Sequence, residues 1–178
     1  MKALNLGAAV AAALAAGACT TYADEPATPE VASLRADVRD ARGASKGQVT
    51  AMQVGSGIRV QISAMNMPQG VYAAHVHTTG RCDAPGFTSA GGHWNPTGRE
   101  HGKDNPDGMH KGDLPNLLVG TDGRGTMEYT IMDAQMLGGA GSMMDADGAA
   151  VVFHAKADDY RSDPAGNAGD RIACGVLG

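Results

Sequence analysis

The sequence predicts an all-β fold, an antiparallel Greek-key barrel or sandwich of about eight short strands with two long functional loops. Three observations lead there. Short runs alternate apolar and polar residues with period 2, as half-buried strands do. Turn signals, among them Gly55-Ser56-Gly57, Asp122-Gly123 and Asp147-Gly148, separate those runs. No segment sustains a 3.6-residue apolar pattern for more than two turns. Such spacing fits an immunoglobulin-like arrangement. With 178 residues, 43% of them hydrophobic, the chain can pack a core. Its formal net charge of -5 argues against a nucleic-acid binder, which needs a basic face.

The first stretch is not expected to belong to the fold. Lys2 precedes an Ala-, Leu- and Val-rich run ending at Ala18. That run is too short for a membrane span and suits a signal peptide or lipoprotein leader over residues 1–23, the alternative being a buried Ala-rich helix. Cleavage fits before Cys19, after Ala16-Gly17-Ala18, or before Asp24, after Thr21-Tyr22-Ala23. Lipidation of Cys19 would instead give a membrane anchor. Residues 24–30, acidic and Pro-containing, read as a linker, and residues 31–178 as the domain.

Alternation is clear at residues 32–39, 48–54 and 58–63, the last two joined by a tight Gly55-Ser56-Gly57 hairpin. Further strands are expected at 71–76, 116–119, 126–132, 149–154 and 172–177. Between them, residues 80–113 and 158–171 are rich in Gly, Pro, Asp and Asn and lack alternation. Loops that long in a small β domain need pins. Met65, Met67, Met143 and Met144 read as core filling rather than as Cu(I) contacts. Asp145-Ala146-Asp147-Gly148 reads as a turn, because Lys156 stands where a calcium loop needs its twelfth-position acid.

Export permits disulfides, and setting aside Cys19 leaves the pair Cys82 and Cys174. A bridge would close a loop of about 90 residues, worth about 3–5 kcal/mol on the chain-entropy account. A zinc–thiolate site is the competing reading, weakened by the absence of any C-x-x-C.

The pins are histidines. His75-Val76-His77 lies in a strand run, so both rings point to one face. His93, His101, His110 and Asp113 follow in the first loop, and His154 ends a later strand. These are all six histidines of the chain. Six imidazoles and one carboxylate exceed a single four-coordinate ion but suit two adjacent ions sharing one ligand.

At these residues the chain resembles the copper/zinc superoxide dismutases of the bacterial secreted type. The matching segments run Ala73-Ala74-His75-Val76-His77, Ser89-Ala90-Gly91-Gly92-His93-Trp94-Asn95-Pro96, His101-Gly102, and His110-Lys111-Gly112-Asp113-Leu114-Pro115-Asn116. They continue through Val151-Val152-Phe153-His154-Ala155-Lys156-Ala157-Asp158-Asp159 and residues 166–176, so the likeness spans residues 31–178. The resemblance implies copper held by His75, His77, His93 and His154, and zinc held by His93, His101, His110 and Asp113. His93 would bridge the two. Asp158 would link His75 to His101, Arg171 would attract the substrate anion, and Cys82 and Cys174 would form the intrachain disulfide. The implied activity is dismutation of superoxide to oxygen and hydrogen peroxide, in the periplasm of a Gram-negative bacterium, with Cys19 a possible outer-membrane anchor. Monomer and homodimer are both open. The rival is a secreted metal-binding or metal-delivery module without turnover, while a zinc hydrolase would need an open zinc position. The Ala73-Ala74 pair departs from the family's Gly-plus-bulky pattern, and residues 159–165 lack a lysine.

Overall fold

The alternating runs become strands because their inward positions share one apolar face. In the computed structural model, which describes residues 33–178, β1 (Ser33–Asp40), β2 (Ser45–Val54) and β3 (Gly57–Ala64) form an antiparallel meander. In β3, Ile58, Val60 and Ile62 are buried in the core while Gln61 and Ser63 are exposed. The leader, the linker and Cys19 lie outside the described residues.

The chain then crosses to the far side. β4 (Gly70–Tyr72) pairs with β6 (Leu117–Val119), whereas β5 (Ala74–His77) pairs with β8 (Ala150–His154). With β7 (Gly125–Ile131) and β9 (Arg171–Val176), the larger sheet runs β5-β8-β9-β1-β2-β3-β7, antiparallel throughout. The crossing from β3 at one side to β5 at the opposite edge is the Greek-key connection. Among the described residues the only helical segment is one 3-10 turn, Thr88–Ala90.

β4 runs into β5, and β6 lies against β7, so the two-stranded sheet spans the gap between the edges of the larger one. Gly125 allows this closure, because a Cβ there would stand 2.4 Å from the Leu118 carbonyl oxygen. The sheet thus curls into a barrel.

Two features differ from the sequence expectation. Residues 71–76, expected as one strand, are two strands in different sheets. At Ala73 the backbone changes partner: its N–H donates to the Lys156 carbonyl at 2.8 Å and its carbonyl accepts from the His154 N–H at 2.9 Å. An unbroken apolar run carries no mark of such a change. A third long irregular segment, residues 132–149, also goes beyond the two expected; Met136 and Met143 within it are buried in the core.

β8 is buried on both faces. Val151 and Phe153 enter the main core, while Ala150 and Val152 pack beneath Phe87, Ala90 and Cys174. Cys82 and Cys174 are joined as a disulfide across 92 residues of sequence, with Cα atoms 5.6 Å apart, which removes the zinc–thiolate reading.

Candidate metal centre

β5 divides its side chains between two surfaces. Ala74 and Val76 belong to the barrel core, and His75 and His77 therefore face the opposite side, under the long loops. His154 ends β8, and a register shift after Phe153 sets it directly opposite Arg171 on β9. A bulge there re-aims the arginine toward the histidines, a change of direction that simple alternation hides.

The first loop returns to the edge of β5. The Val76 N–H donates to the Gly112 carbonyl at 2.9 Å, the Trp94 N–H to the Val76 carbonyl at 2.8 Å, and the Gly112 N–H to the Trp94 carbonyl at 2.8 Å. This places His93 and Asp113 beside His77 and His75 in isolated bridges. Across the second loop, Asp158 is fixed by Asn116, whose amide donates to the Asp158 carbonyl at 2.9 Å and accepts from its N–H at 2.8 Å. Gly166 makes room for that carboxylate, since a Cβ there would fall 2.7 Å from His101 Nε2 and closer still to Asp158.

All six histidines, Asp113 and Asp158 are buried. Each ring has one nitrogen engaged. His75 Nε2 donates to Asp158 Oδ2 at 2.8 Å, His77 Nδ1 to the Gly91 carbonyl at 3.0 Å, and His154 Nδ1 to the Gly169 carbonyl at 3.2 Å. Since those partners only accept, the opposite nitrogens keep their lone pairs. His75 Nδ1, His77 Nε2, His93 Nε2 and His154 Nε2 are buried with no hydrogen-bond partner. Donor atoms of these four residues lie within 4.8 Å of one another. Four orphaned nitrogens in one buried cluster are costly unless something binds them.

A second cluster adjoins the first. Asp113 Oδ1 lies 2.9 Å from His93 Nδ1, 3.0 Å from His101 Nδ1 and 3.1 Å from His110 Nδ1, and the His93 and His110 Nδ1 atoms are 3.4 Å apart. The edges of a zinc tetrahedron with bonds near 2.0 Å are about 3.3 Å. His101 Nδ1 makes no hydrogen bond despite its closeness to Asp113, so the two atoms flank a common point without pointing at each other. Donors of His75, His93, His101 and Asp113 also fall within 4.8 Å. His75 Nδ1 already belongs to the first cluster, whereas His110 Nδ1 lies 3.1 Å from Asp113 Oδ1 and 3.4 Å from His93 Nδ1, so His110 serves as the fourth donor of this set without being shared.

Arg171 lies at the edge of the first cluster. Its Nη2 donates to the Gly91 carbonyl at 2.7 Å, the same oxygen that orients His77. It also lines an open cleft of about 810 Å³ that none of the six histidines reaches.

The comparisons with known proteins agree with this geometry. The family model described as copper/zinc superoxide dismutase (SODC) matches residues 45–177. The chain belongs to that family. It is 41% identical over 146 residues to Cu-Zn superoxide dismutase 1 of Aquifex aeolicus (strain VF5), covering 80% of this chain and 85% of that protein. With the Cu-Zn superoxide dismutase of Caulobacter vibrioides it shares 37% over 148 residues, 82% and 85% of the two chains. Among solved structures, a SOD-like protein from Bacillus subtilis superposes with a TM-score of 0.76 at 38% identity, covering 80% of this chain and 97% of that one.

An imidazole can donate to a metal only when neutral, and burial favours the neutral form of three of these rings. Desolvation lowers His75 to about 3, His77 to about 2 and His154 to about 4, from the ordinary 6.5. His101 goes the other way. Burial opposes its charge, but the Asp113 and Asp158 carboxylates outweigh burial and raise it to about 9. Both carboxylates are held well below the usual range by their histidine partners, which overcome their own desolvation.

A pH dependence follows for the metal-free protein. His75, His77 and His154 titrate at 6.5 when unfolded and much lower when folded, so their contribution is fully present above 6.5 and lost as pH falls. The stabilisation from His101 is fully present below 6.5 and is lost progressively as pH rises from there through about 9. Urea unfolding of metal-free protein should show stability falling steeply below pH 6.5. A flat profile from pH 7 to 5 would contradict the burial of neutral imidazoles.

Several groups that shape this geometry lie in the matching segments, but the sequence assigned them no role. The Gly91 and Gly169 carbonyls select the ring nitrogens of His77 and His154, and Asn116 holds Asp158. Backbone acceptors can be supplied by any residue type, so composition cannot reveal them.

Proposed function

We propose that this chain dismutates superoxide, converting two superoxide anions and two protons to one O2 and one H2O2. In this reading His75, His77, His93 and His154 hold copper, while His93, His101, His110 and Asp113 hold zinc. The observation that carries it is the set of four buried, unpartnered ring nitrogens beside Arg171. Copper, when bound, supplies one-electron redox capacity. The protein's own groups do the rest. Asp158 holds His75 and His101 in fixed tautomers through its two oxygens. Three imidazoles and a carboxylate fill the zinc set, leaving no open position for hydrolytic chemistry. Arg171 supplies a fixed positive charge for a small anion in an otherwise acidic protein. His93 Nε2, buried and without a hydrogen-bond partner, is placed to hold a proton and release it toward the reduced product.

The test is turnover. Protein loaded with copper and zinc should remove superoxide faster than equimolar free copper. A rate equal to that control, with both metals bound, would leave a metal-delivery module. The reading includes export to the periplasm after loss of residues 1–23, with Cys19 as an alternative lipid-anchored terminus. Mass spectrometry of the mature N-terminus distinguishes the two.

A further inference from the structure

Arg171 has two carbonyl anchors, and one belongs to a strained residue. Besides the Gly91 bond, its Nη1 donates to the Phe87 carbonyl at 2.9 Å. Phe87 has φ 52 and ψ 25, the left-handed region that bulky L-residues avoid because Cβ crowds the backbone. Such a backbone persists only where the surroundings impose it. Here the surroundings are visible. Phe87 is 3% exposed and packs with Ala90, Ala150, Val152 and the Cys82–Cys174 pair over the outer face of β8.

We propose that Phe87 is the positioning residue for Arg171: its buried ring holds the reversed backbone that turns the Phe87 carbonyl onto the guanidinium. A guanidinium is planar, so two carbonyls gripping different terminal nitrogens fix both its plane and its position. Gly91 alone would leave the group free to pivot about one bond. The Phe87 carbonyl also accepts the Ala90 N–H at 3.2 Å, which ties this anchor to the 3-10 turn leading toward His93. Phe87 makes no hydrogen bond to any of the histidines, and its carbonyl bond to Arg171 is its direct link to the site. The inference rests on the proposed activity only in naming superoxide as the natural anion.

Azide binding to the copper- and zinc-loaded protein, followed by visible absorption, reads anion capture without turnover. Phe87→Ala is expected to weaken azide binding about five- to twentyfold at unchanged copper occupancy, the scale of losing one hydrogen bond to a charged group. Phe87→Leu, which keeps apolar bulk, should recover to within about threefold. In an Arg171→Ala background, adding Phe87→Ala should have no further effect on azide, because the residue it positions is gone. Should Phe87→Ala fail to fold, the same comparison is made with Phe87→Leu, whose twofold or greater weakening must disappear in Arg171→Ala. Unchanged azide affinity in the folded variant overturns the proposal, and so does an equal loss with and without Arg171. If azide behaves as expected but superoxide is not removed, the activity reading fails and the role of Phe87 stands.

Discussion

His93→Ala is expected to reduce superoxide removal to that of free copper. His93 stands in both clusters, with Nδ1 2.9 Å from Asp113 Oδ1 and Nε2 among the four unpartnered nitrogens. Its removal takes a donor from each site at once and deletes the single ring connecting them. Loss of an outer partner of a metal ligand costs about 10–100-fold, and loss of a shared ligand should exceed that. With cobalt substituted in the zinc position, the electron paramagnetic spectrum of the parent should show copper coupled to its neighbour, and the variant should show isolated ions. A variant with intact coupling and full metal occupancy would remove His93 from the bridge.

The second large effect concerns stability. Converting Cys82 and Cys174 both to Ser is expected to cost about 4–5 kcal/mol, because the bond closes a very long loop in the unfolded chain. For a domain of this size that corresponds to a drop of about 10–15 °C in Tm. The consequence should reach the site. Cys174 packs with Phe87 and Ala90, so the segment that presents the Phe87 and Gly91 carbonyls to Arg171 loses its tether. Calorimetry of the metal-loaded pair checks the first part. A fall of less than about 2 °C would show that bound metal supplies the constraint by itself.

Much of the fold was legible because its signals are local. In β2 and β3 the alternation of apolar and polar residues reports directly which side meets the core, and the Gly55-Ser56 turn lies between two strands paired from Val54 and Gly57 onward. The split at Ala73 was not legible, since both halves of the run are extended and only the identity of the pairing strand changes. Residues 132–149 were not recognised as a long loop because buried Met136 and Met143 give the segment the look of ordinary core sequence.

For the centre, the division is sharper. The sequence by itself picked out the side chains that could meet a metal: every histidine of the chain and one aspartate among them, Asp113. Residue chemistry is enough for that, because imidazoles without another employment in a small β domain are few. Only the tertiary structure decided which nitrogen of each ring is free. His75 depends on Asp158, 83 residues away, and Arg171 on carbonyls 80 and 84 residues away. A tautomer is set by the acceptor a ring happens to face, and in a Greek-key barrel that acceptor arrives from a distant loop.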